Sequence, residues 1–473
     1  MWEWLNEALQ KFRHCFSNKI AYGWFVIIII GMMMRSEHVG VSSIVRELSL
    51  QPGAYVAIIH FFRAESWYIG RIRSAWLRLV SKLPILYRVT GRAVIVGDGV
   101  KGGKEARYMP GVMKLHQESE NSSKGEYIFG HMFGGLGVLV GTLSSKLYCV
   151  LTSLKLHDGL DAIHGWHETD DYEEESHVVK MIRDAITATQ VLGASILLLD
   201  RLFLTVPMLT TLVECPILQV VTKAKLNTIA YYDPKPRVGR GAKAKKGEKI
   251  KVADLFDTKA IAFETITVTL YEKVQKVPYY SVDLLWGKKL YKKLRFVLTV
   301  IDGTRCILVS TDRTLSPMQI IELYCCRFKI ECSFRELKQV VAGFAYRFWS
   351  KYMPKLNKYE KNEKNQAKLA AITDAKARAS IESTVDAIEG HAMFGCIALG
   401  LLQILSLLFV DIFSGNTVRF MRTQSRVVPS EATVADFMRK TIYQLFRFFP
   451  HLALTCIIKK QQSVPHDPDC VAS

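Results

Sequence analysis

The sequence Arg92-Ala-Val-Ile-Val-Gly-Asp98 is apolar and β-branched, and it ends in an acid that is followed by Gly99. A second stretch, Ser195-Ile-Leu-Leu-Leu-Asp200, has the same form. Short apolar runs bounded by turn residues are typical of buried strands. If both strands lie in one sheet, the two aspartates emerge together at its carboxyl edge. For either aspartate alone, a turn-forming or helix-capping role explains the residue equally well.

Outward from these two strands, the chain alternates between strand-like and helical segments. Further strands are predicted near residues 127–140, 146–156, 216–223, 294–300 and 306–310, and a helix is predicted over residues 176–192. This order favours an α/β fold, in which a mixed sheet carries helices on its faces. A basic, Pro- and Gly-rich segment followed by alternating residues predicts a β-rich insertion at about residues 226–293.

A chain of 473 residues is too long for one compact core, and three parts are predicted. Residues 1–86 have apolar side chains at spacings of three and four, which predicts a helical N-terminal region. Residues 87–350 form the α/β core with its insertion. Residues 351–473 are first Lys-rich and then hydrophobic, and they are predicted to be helical.

The charge of the chain indicates a polyanionic partner. Lys and Arg outnumber Asp and Glu by 63 to 44, a formal net charge of +19, which favours nucleic acid or an anionic membrane surface. The ten cysteines include no C-x2-C pair, and reduced thiols in a cytoplasm are expected. The apolar run Ala392–Val410 reaches the lower part of the membrane-spanning range. Gln403 and Ser406 within it favour a buried helix instead, so no stable membrane association is expected.

A helix that begins at Ser316 carries a patterned charged face. Tyr324, Arg327, Glu331 and Lys338 fit Y-x2-R-x3-E-x6-K, and at helical spacing they fall within about 60° of arc. A solvated face with an i, i+4 Arg–Glu pair explains this spacing equally well.

Glu331 on this helix, together with Asp98 and Asp200, predicts a metal site. Three carboxylates that converge repel each other unless divalent cations neutralise them. Mg²⁺ prefers hard oxygen ligands, and two such ions about 4 Å apart can activate an attacking oxygen and stabilise a leaving one.

With these residues in place, the chain resembles bacterial insertion-sequence transposases of the DDE superfamily, specifically the group with the Tyr-Arg-Glu-Lys signature. The order strand–Asp, strand–Asp, insertion, helix–Glu is that family's arrangement. Further stretches are similar to the family: Gly97-Asp-Gly-Val-Lys101, Tyr108-Met-Pro-Gly, Ser310-Thr-Asp-Arg-Thr-Leu-Ser316 and Phe348-Trp-Ser-Lys351. The resemblance extends from about residue 20 to residue 411.

The resemblance implies a ribonuclease-H-like core and cut-and-paste transposition. Asp98, Asp200 and Glu331 would be catalytic and would hold two Mg²⁺ ions, for which Mn²⁺ could substitute. Tyr324, Arg327 and Lys338 would grip DNA phosphates. The implied partners are double-stranded transposon ends and target DNA, bound by a homodimer in a cytoplasmic, nucleoid-associated complex. Residues 1–86 would recognise DNA, and residues 351–473 would dimerise.

Two further features bear on DNA binding. The cationic insertion loop, residues 233–251, is expected either to contact DNA phosphates without reading sequence or to be merely solvated. Its candidate DNA-binding residues are Arg240, Lys243, Lys245 and Lys246. Trp349 could stack on an unpaired base, although a core position is favoured. The alternatives that remain are a catalytically silent DNA-binding descendant, a membrane-associated protein and a nuclease without strand transfer.

Overall fold

The computed structural model describes residues 1–37, 40–117, 125–167, 175–236, 244–413 and 427–462. Helices precede the sheet: α1 (Trp2–Gln10), α2 (Lys19–Met34), α3 (Gly40–Glu47), α4 (Ala54–Phe62) and α5 (Ile69–Ser81). Asn18 starts α2, because its side chain accepts a hydrogen bond from Ala21 N at 2.8 Å. α2 is apolar on all sides and almost wholly buried, so it forms part of the core.

Strands and helices then alternate through the centre of the chain. In order they are β1 (Arg88–Val89), β2 (Arg92–Gly103), β3 (Met113–His116), β4 (Tyr127–Gly141), β5 (Leu147–Leu156), α6 (Asp161–His164), α7 (His177–Leu192), β6 (Ser195–Leu198), α8 (Val206–Thr211), β7 (Leu218–Ala224), β8 (Ile229–Tyr231), β9 (Lys249–Lys251), α9 (Leu255–Thr258), β10 (Glu264–Leu270), β11 (Lys273–Trp286), β12 (Lys292–Ile301) and β13 (Thr304–Ser310).

All of these strands join one mixed sheet. Its order is β3-β4-β2-β6-β7-β13-β12-β11-β8-β9, with β1 paired to β2, β5 to β4 and β10 to β11. β6 lies between β2 and β7 and is parallel to both, whereas the other pairings are antiparallel. The mixed α/β sheet with helices at both ends agrees with the fold class predicted from the sequence. The strands of the expected insertion extend this same sheet, since β11 pairs with β12 along eight residues.

Two helices follow the sheet, α10 (Pro317–Cys326) and α11 (Lys329–Gln339), where the sequence predicts one. The predicted capping box is present: Ser316 Oγ accepts from Gln319 N at 3.3 Å, and Gln319 Oε1 accepts from Ser316 N at 3.0 Å. The chain tightens between the helices, where Glu331 N donates to Phe328 O at 3.1 Å, an i to i−3 bond. Arg327 and Phe328 keep right-handed helical dihedrals, so the charged face continues across the break.

The C-terminal part consists of helices α12 (Asn362–Ala370), α13 (Ala375–Leu408), α14 (Val410–Phe413), α15 (Glu431–Phe448) and α16 (Ala453–Gln461). By length and composition α13 could cross a membrane, but 89% of its apolar window is buried inside the protein. Two of its polar side chains also donate hydrogen bonds within the protein: Gln403 donates to Glu431 at 3.1 Å, and Ser406 donates to Pro429 O at 2.6 Å. α13 therefore packs as a core helix against β5 and α2.

A buried arginine joins the N-terminal helices to the end of α11. Arg35 follows α2, is 3% exposed, and donates to the carbonyls of Val341 and Ala342, the latter at 2.7 Å. These two carbonyls lie just beyond α11, and the buried guanidinium supplies hydrogen-bond donors for them. The carbonyl of Arg35 accepts in turn from Arg439 of α15 at 3.3 Å. Arg35 thus fixes α11 with respect to both helical regions.

Candidate active site

Asp98 and Asp200 lie at matching positions beside two neighbouring parallel strands. β2 and β6 pair up to Val96 and Leu198, so each aspartate lies two residues beyond its last paired residue. Adjacent strands are about 4.8 Å apart, which brings both carboxyl groups to one edge. The expectation that Asp98 ends its strand is wrong, because β2 continues to Gly103 while it pairs with β4. The flanking glycines suggest a turn, but β4 supplies backbone partners that local sequence does not reveal.

Arg327 connects Asp98 to Glu331. Its Nη1 lies 3.0 Å from Asp98 Oδ2, and its Nη2 lies 2.5 Å from Glu331 Oε1. The other oxygen of Asp98 accepts from Gly99 N at 2.8 Å. Arg327 and Asp98 are mostly buried, with 15% and 22% of their side chains exposed, whereas Glu331 is 42% exposed. The i, i+4 pair expected on the helix therefore exists, and it extends to a strand residue 229 positions away in the sequence.

The electrostatic environment of Asp98 reflects both burial and crowding. Burial raises the pKa of Asp98 to about 6; Arg327 and the Gly99 N–H oppose this rise, while Glu331 and Asp200 add to it. Repulsion from two further carboxylates means that all three acids share one neighbourhood. Arg327 thus joins Asp98 and Glu331 directly, and Asp200 follows the neighbouring strand at the matching position, near enough for its charge to raise the pKa of Asp98.

The remaining signature residues border these acids. Burial raises the pKa of Tyr324 strongly, and the negative charge of Asp200 adds to the rise. Lys338 lies about two turns further along the same helix face and donates from Nζ to Lys101 O of β2 at 3.0 Å. Its ammonium is also 5.8 Å from the centre of the Phe344 ring. The signature thus forms a row from β6 to the outer part of β2.

The three acids fit a divalent cation by chemistry and by charge. Hard carboxylate oxygens are the ligands that Mg²⁺ prefers. A cation would also relieve the repulsion that helps to raise the pKa of Asp98. In this arrangement, no group of three or more His, Cys, Asp or Glu side chains within the described residues is positioned to hold a metal. Arg327 lies between Asp98 and Glu331 and supplies the neutralising charge, so its guanidinium would have to release these oxygens before they could coordinate a metal ion.

The sequence does not predict that a hairpin tip reaches this site. Tyr271 and Glu272 connect β10 to β11 with φ of 52° and 68°, a left-handed pair that suits a tight hairpin turn. Glu272 lies 3.4 Å from Lys329 Nζ at the start of α11. Burial raises the pKa of Tyr271 to about 12; a hydrogen bond with Cys325 adds to this rise, and the charge of Arg327 opposes it. Non-glycine residues with positive φ are hard to identify from sequence, which explains why the hairpin tip was not predicted here.

Two of the expected DNA-binding residues of the insertion lie outside the described residues: Arg240 and Lys243. Lys245 and Lys246 are both exposed. The Lys246 ammonium lies 4.2 Å from the centre of the Tyr231 ring and 5.1 Å from that of Tyr291. A cation held over aromatic rings at the surface keeps its charge available to a nearby phosphate.

Trp349 and His131 have environments that the sequence leaves open. Trp349 is 58% exposed, so the favoured core position is wrong. His131 is fully buried and lies away from solvent, 2.7 Å from the Tyr346 hydroxyl and 2.8 Å from Pro110 O. Burial lowers the pKa of His131 to about 3, so a neutral ring that donates to Pro110 and accepts from Tyr346 satisfies both nitrogens. Its role is structural.

The environment of Asp98 predicts that its charge destabilises the metal-free protein. Because the pKa of Asp98 is raised to about 6, the folded state favours the protonated acid. Stability is therefore lost as the pH rises from about 4 to about 6, and it stays lost above that range. In chelator-treated protein, Asp98→Asn should be more stable than wild type above this window, by up to about 3 kcal/mol.

The measurement is denaturant unfolding of both proteins across this pH range. Glu336→Gln removes a carboxylate that is paired with Arg335 at 2.7 Å, and it serves as the control. Parallel stability curves for wild type and Asp98→Asn would contradict the electrostatic interpretation.

Comparison with known proteins adds one match. Residues 154–352 match the family model described as Transposase DDE domain. No curated protein and no solved structure matches the chain. The matched segment includes Asp200 and Glu331 and begins after Asp98, which the structure places beside them. The match supports a DDE transposase of the insertion-sequence type, which acts on DNA.

Proposed function

We propose that the chain is a DNA transposase that moves an insertion sequence by a cut-and-paste route, and that it belongs to the Tyr-Arg-Glu-Lys group. The observation that carries this proposal is the bridge from Arg327 to Asp98 and Glu331, with Asp200 at the matching position of the strand beside Asp98. The transposase domain match over residues 154–352 supports it independently. The mixed sheet around these acids is consistent with a ribonuclease-H-like core.

In this proposal, Asp98, Asp200 and Glu331 hold two Mg²⁺ ions, and Mn²⁺ is expected to substitute. When bound, such ions activate the attacking oxygen and stabilise the leaving oxygen of the phosphodiester. The carboxylates of the chain position the ions and need no proton of their own. A water and then a DNA 3′-hydroxyl are the nucleophiles, so no covalent protein–DNA intermediate forms. A hairpin at the DNA end is part of the proposed route.

The cationic residues of the signature bind the DNA end. Arg327 lies between two of the acids, and once these bind metal its planar guanidinium is released at the same edge for a two-point contact with a phosphate. Lys338 provides a point charge further along β2, where it is held by Lys101 O. Tyr324 lies beside Asp200 and offers a hydroxyl as a donor.

Further parts of the proposal concern partners. The substrates are the terminal repeats of the element and double-stranded target DNA, bound by a homodimer in the cytoplasm at the nucleoid. Residues 1–86 would recognise DNA, and residues 351–473 would dimerise. The net charge of +19 supports binding to DNA phosphates over a wide surface.

Loss of any one metal ligand should abolish cleavage. Asp98→Asn, Asp200→Asn and Glu331→Gln each remove a charged ligand that stabilises the phosphoryl transition state, so cleavage of end DNA in Mg²⁺ should fall by about 10³-fold or more. Binding to the same DNA should persist, as measured by gel shift. Glu336→Gln on the same helix should cleave normally. A variant of the three that cleaves at the wild-type rate would remove that residue from the site.

Arg327 should act in positioning the DNA end more than in metal binding. Arg327→Ala should slow the steps after nicking, in which a distorted end must be held in line for attack. Arg327→Lys should restore part of the rate, since an ammonium cannot reproduce a bidentate phosphate contact. The measurement is a time course that resolves nicked, hairpin and joined products.

Arg335→Ala provides a matched control for these variants, because Arg335 lies on α11 and pairs with Glu336 instead of the central acids. Wild-type rates for Arg327→Ala through all three products would show that the signature is a coincidence of the helix surface.

The insertion loop should bind phosphates. Replacement of Arg240, Lys243, Lys245 and Lys246 by Ala should weaken binding to cognate and unrelated DNA alike. The slope of log affinity against log salt should become shallower by up to about four units, at somewhat under one unit for each phosphate that is no longer neutralised. Lys459→Ala with Lys460→Ala, two exposed lysines on α16, is the control. A salt slope that does not change in the loop variant would show that the loop is only solvated.

A further inference from the structure

A long groove lies beyond the candidate active site. It consists of two adjoining cavities of about 750 and 520 Å³, both of which Glu105 and Arg107 line. The first cavity lies between residues 103–109 and 345–349, and the second extends over residues 355–360. We call the two cavities together the distal groove.

The walls of the distal groove are fixed by backbone contacts. Ser350 N donates to Tyr108 O at 3.2 Å, and Leu356 N donates to Arg107 O at 2.8 Å. From the N-terminal helices, Arg63 donates to Trp349 O at 2.8 Å. These bonds hold the segment after α11 against the segment after β2, so the two walls of the groove have fixed positions relative to each other.

Aromatic rings are exposed along this groove. Trp349 is 58% exposed and Tyr108 45% in the first cavity, and Tyr359 is 82% exposed in the second. Because these three side chains are so exposed, they do not serve to fill the hydrophobic core. Three flat apolar faces in one concave surface provide places on which planar groups can stack.

Cations accompany these rings. Six basic residues line the two cavities against two acids: Lys104, Arg107, Arg347, Lys355, Lys358 and Lys368 against Glu105 and Glu360. Both acids are already paired, Glu105 with Lys358 at 3.6 Å and Glu360 with Lys368 at 2.6 Å. Arg107, Arg347 and Lys355 are exposed, and they form no ion pair with a described residue. The groove therefore presents uncompensated positive charge beside its rings.

The position of the distal groove relates it to the candidate active site. Asp98 and Gly103 are five residues apart on β2, a distance of about 17 Å. Between them, Phe344 packs against Gly102 and Lys338 binds Lys101 O. A DNA strand that leaves the acids along β2 therefore crosses about 17 Å before it reaches the groove.

We propose that the distal groove binds unpaired DNA, a stretch of single strand that begins about 17 Å from the reacting phosphate. The inference rests on the proposed function for its substrate. In a duplex the faces of the bases are covered by their neighbours, so exposed rings gain stacking contacts only from unpaired bases. Exposed rings that alternate with cations along one groove match the way proteins bind single strands without reading sequence.

The test compares single-stranded and duplex DNA. Fluorescence anisotropy of the full chain is measured with labelled oligo(dT) of about 16 nucleotides, the upper end of common site sizes, and with a duplex of equal length. Trp349→Ala and Tyr359→Ala should each weaken oligo(dT) binding by about 5- to 150-fold, the loss expected for one stacked base. Duplex affinity should change by less than about 2-fold. Trp349→Phe should retain most of the single-strand affinity.

Tyr443→Ala is the matched control, because Tyr443 is 59% exposed on α15 and far from the groove in sequence. Unchanged oligo(dT) affinity in both groove variants would overturn the proposal. An equal loss for oligo(dT) and duplex would also overturn it, since this would indicate a general DNA contact or damaged folding. If wild type fails to cleave end DNA while the groove variants still lose single-strand affinity, the proposed function fails and the groove assignment stands.

Discussion

The contact on which the candidate site depends is the bridge from Arg327 to Asp98 and Glu331. Three carboxylates at the edge of one sheet repel each other, and burial at Asp98 strengthens the penalty. Arg327 offsets this repulsion from within the chain. The chain can place Arg327 there because the turn at Arg327 and Phe328 tightens without leaving the helical region. The junction of α10 and α11 is therefore what allows a helix side chain to reach a strand acid.

This bridge gives Arg327 two competing sets of partners. Without metal, the guanidinium of Arg327 neutralises Asp98 and Glu331. When a divalent cation replaces the guanidinium as their partner, both carboxylates gain a stronger partner and the guanidinium is free to bind a phosphate. A partly buried arginine that loses its carboxylates without gaining a phosphate would carry an uncompensated charge, at a cost of about 3–5 kcal/mol. Metal and DNA should therefore bind cooperatively at this edge. Metal neutralises the two carboxylates that Arg327 leaves, and a DNA phosphate neutralises the released guanidinium.

Local patterns in the sequence predicted the elements that local physics controls. The capping box at Ser316 and the two apolar strands before the aspartates follow from backbone chemistry and burial, and both are present. The extension of β2 past Asp98 was not predictable, because it depends on pairing with β4, far along the chain. The exposure of Trp349 was not predictable either, since its ring lies at a groove that forms only when two distant segments pack together.

Placement of the acids depends on parts of the chain that carry none of them. Arg35 binds the carbonyls of Val341 and Ala342, just beyond α11. Its own carbonyl accepts a hydrogen bond from Arg439 of α15, so the chain after the helix of Glu331 is held from both helical regions. His391 of α13 adds a contact to Gly343 O at 3.1 Å, just beyond the same helix. A shift in either helical region would move Glu331 relative to β2. A displacement of either region can thus reach Glu331 through packed contacts, without any long-range change in the sheet.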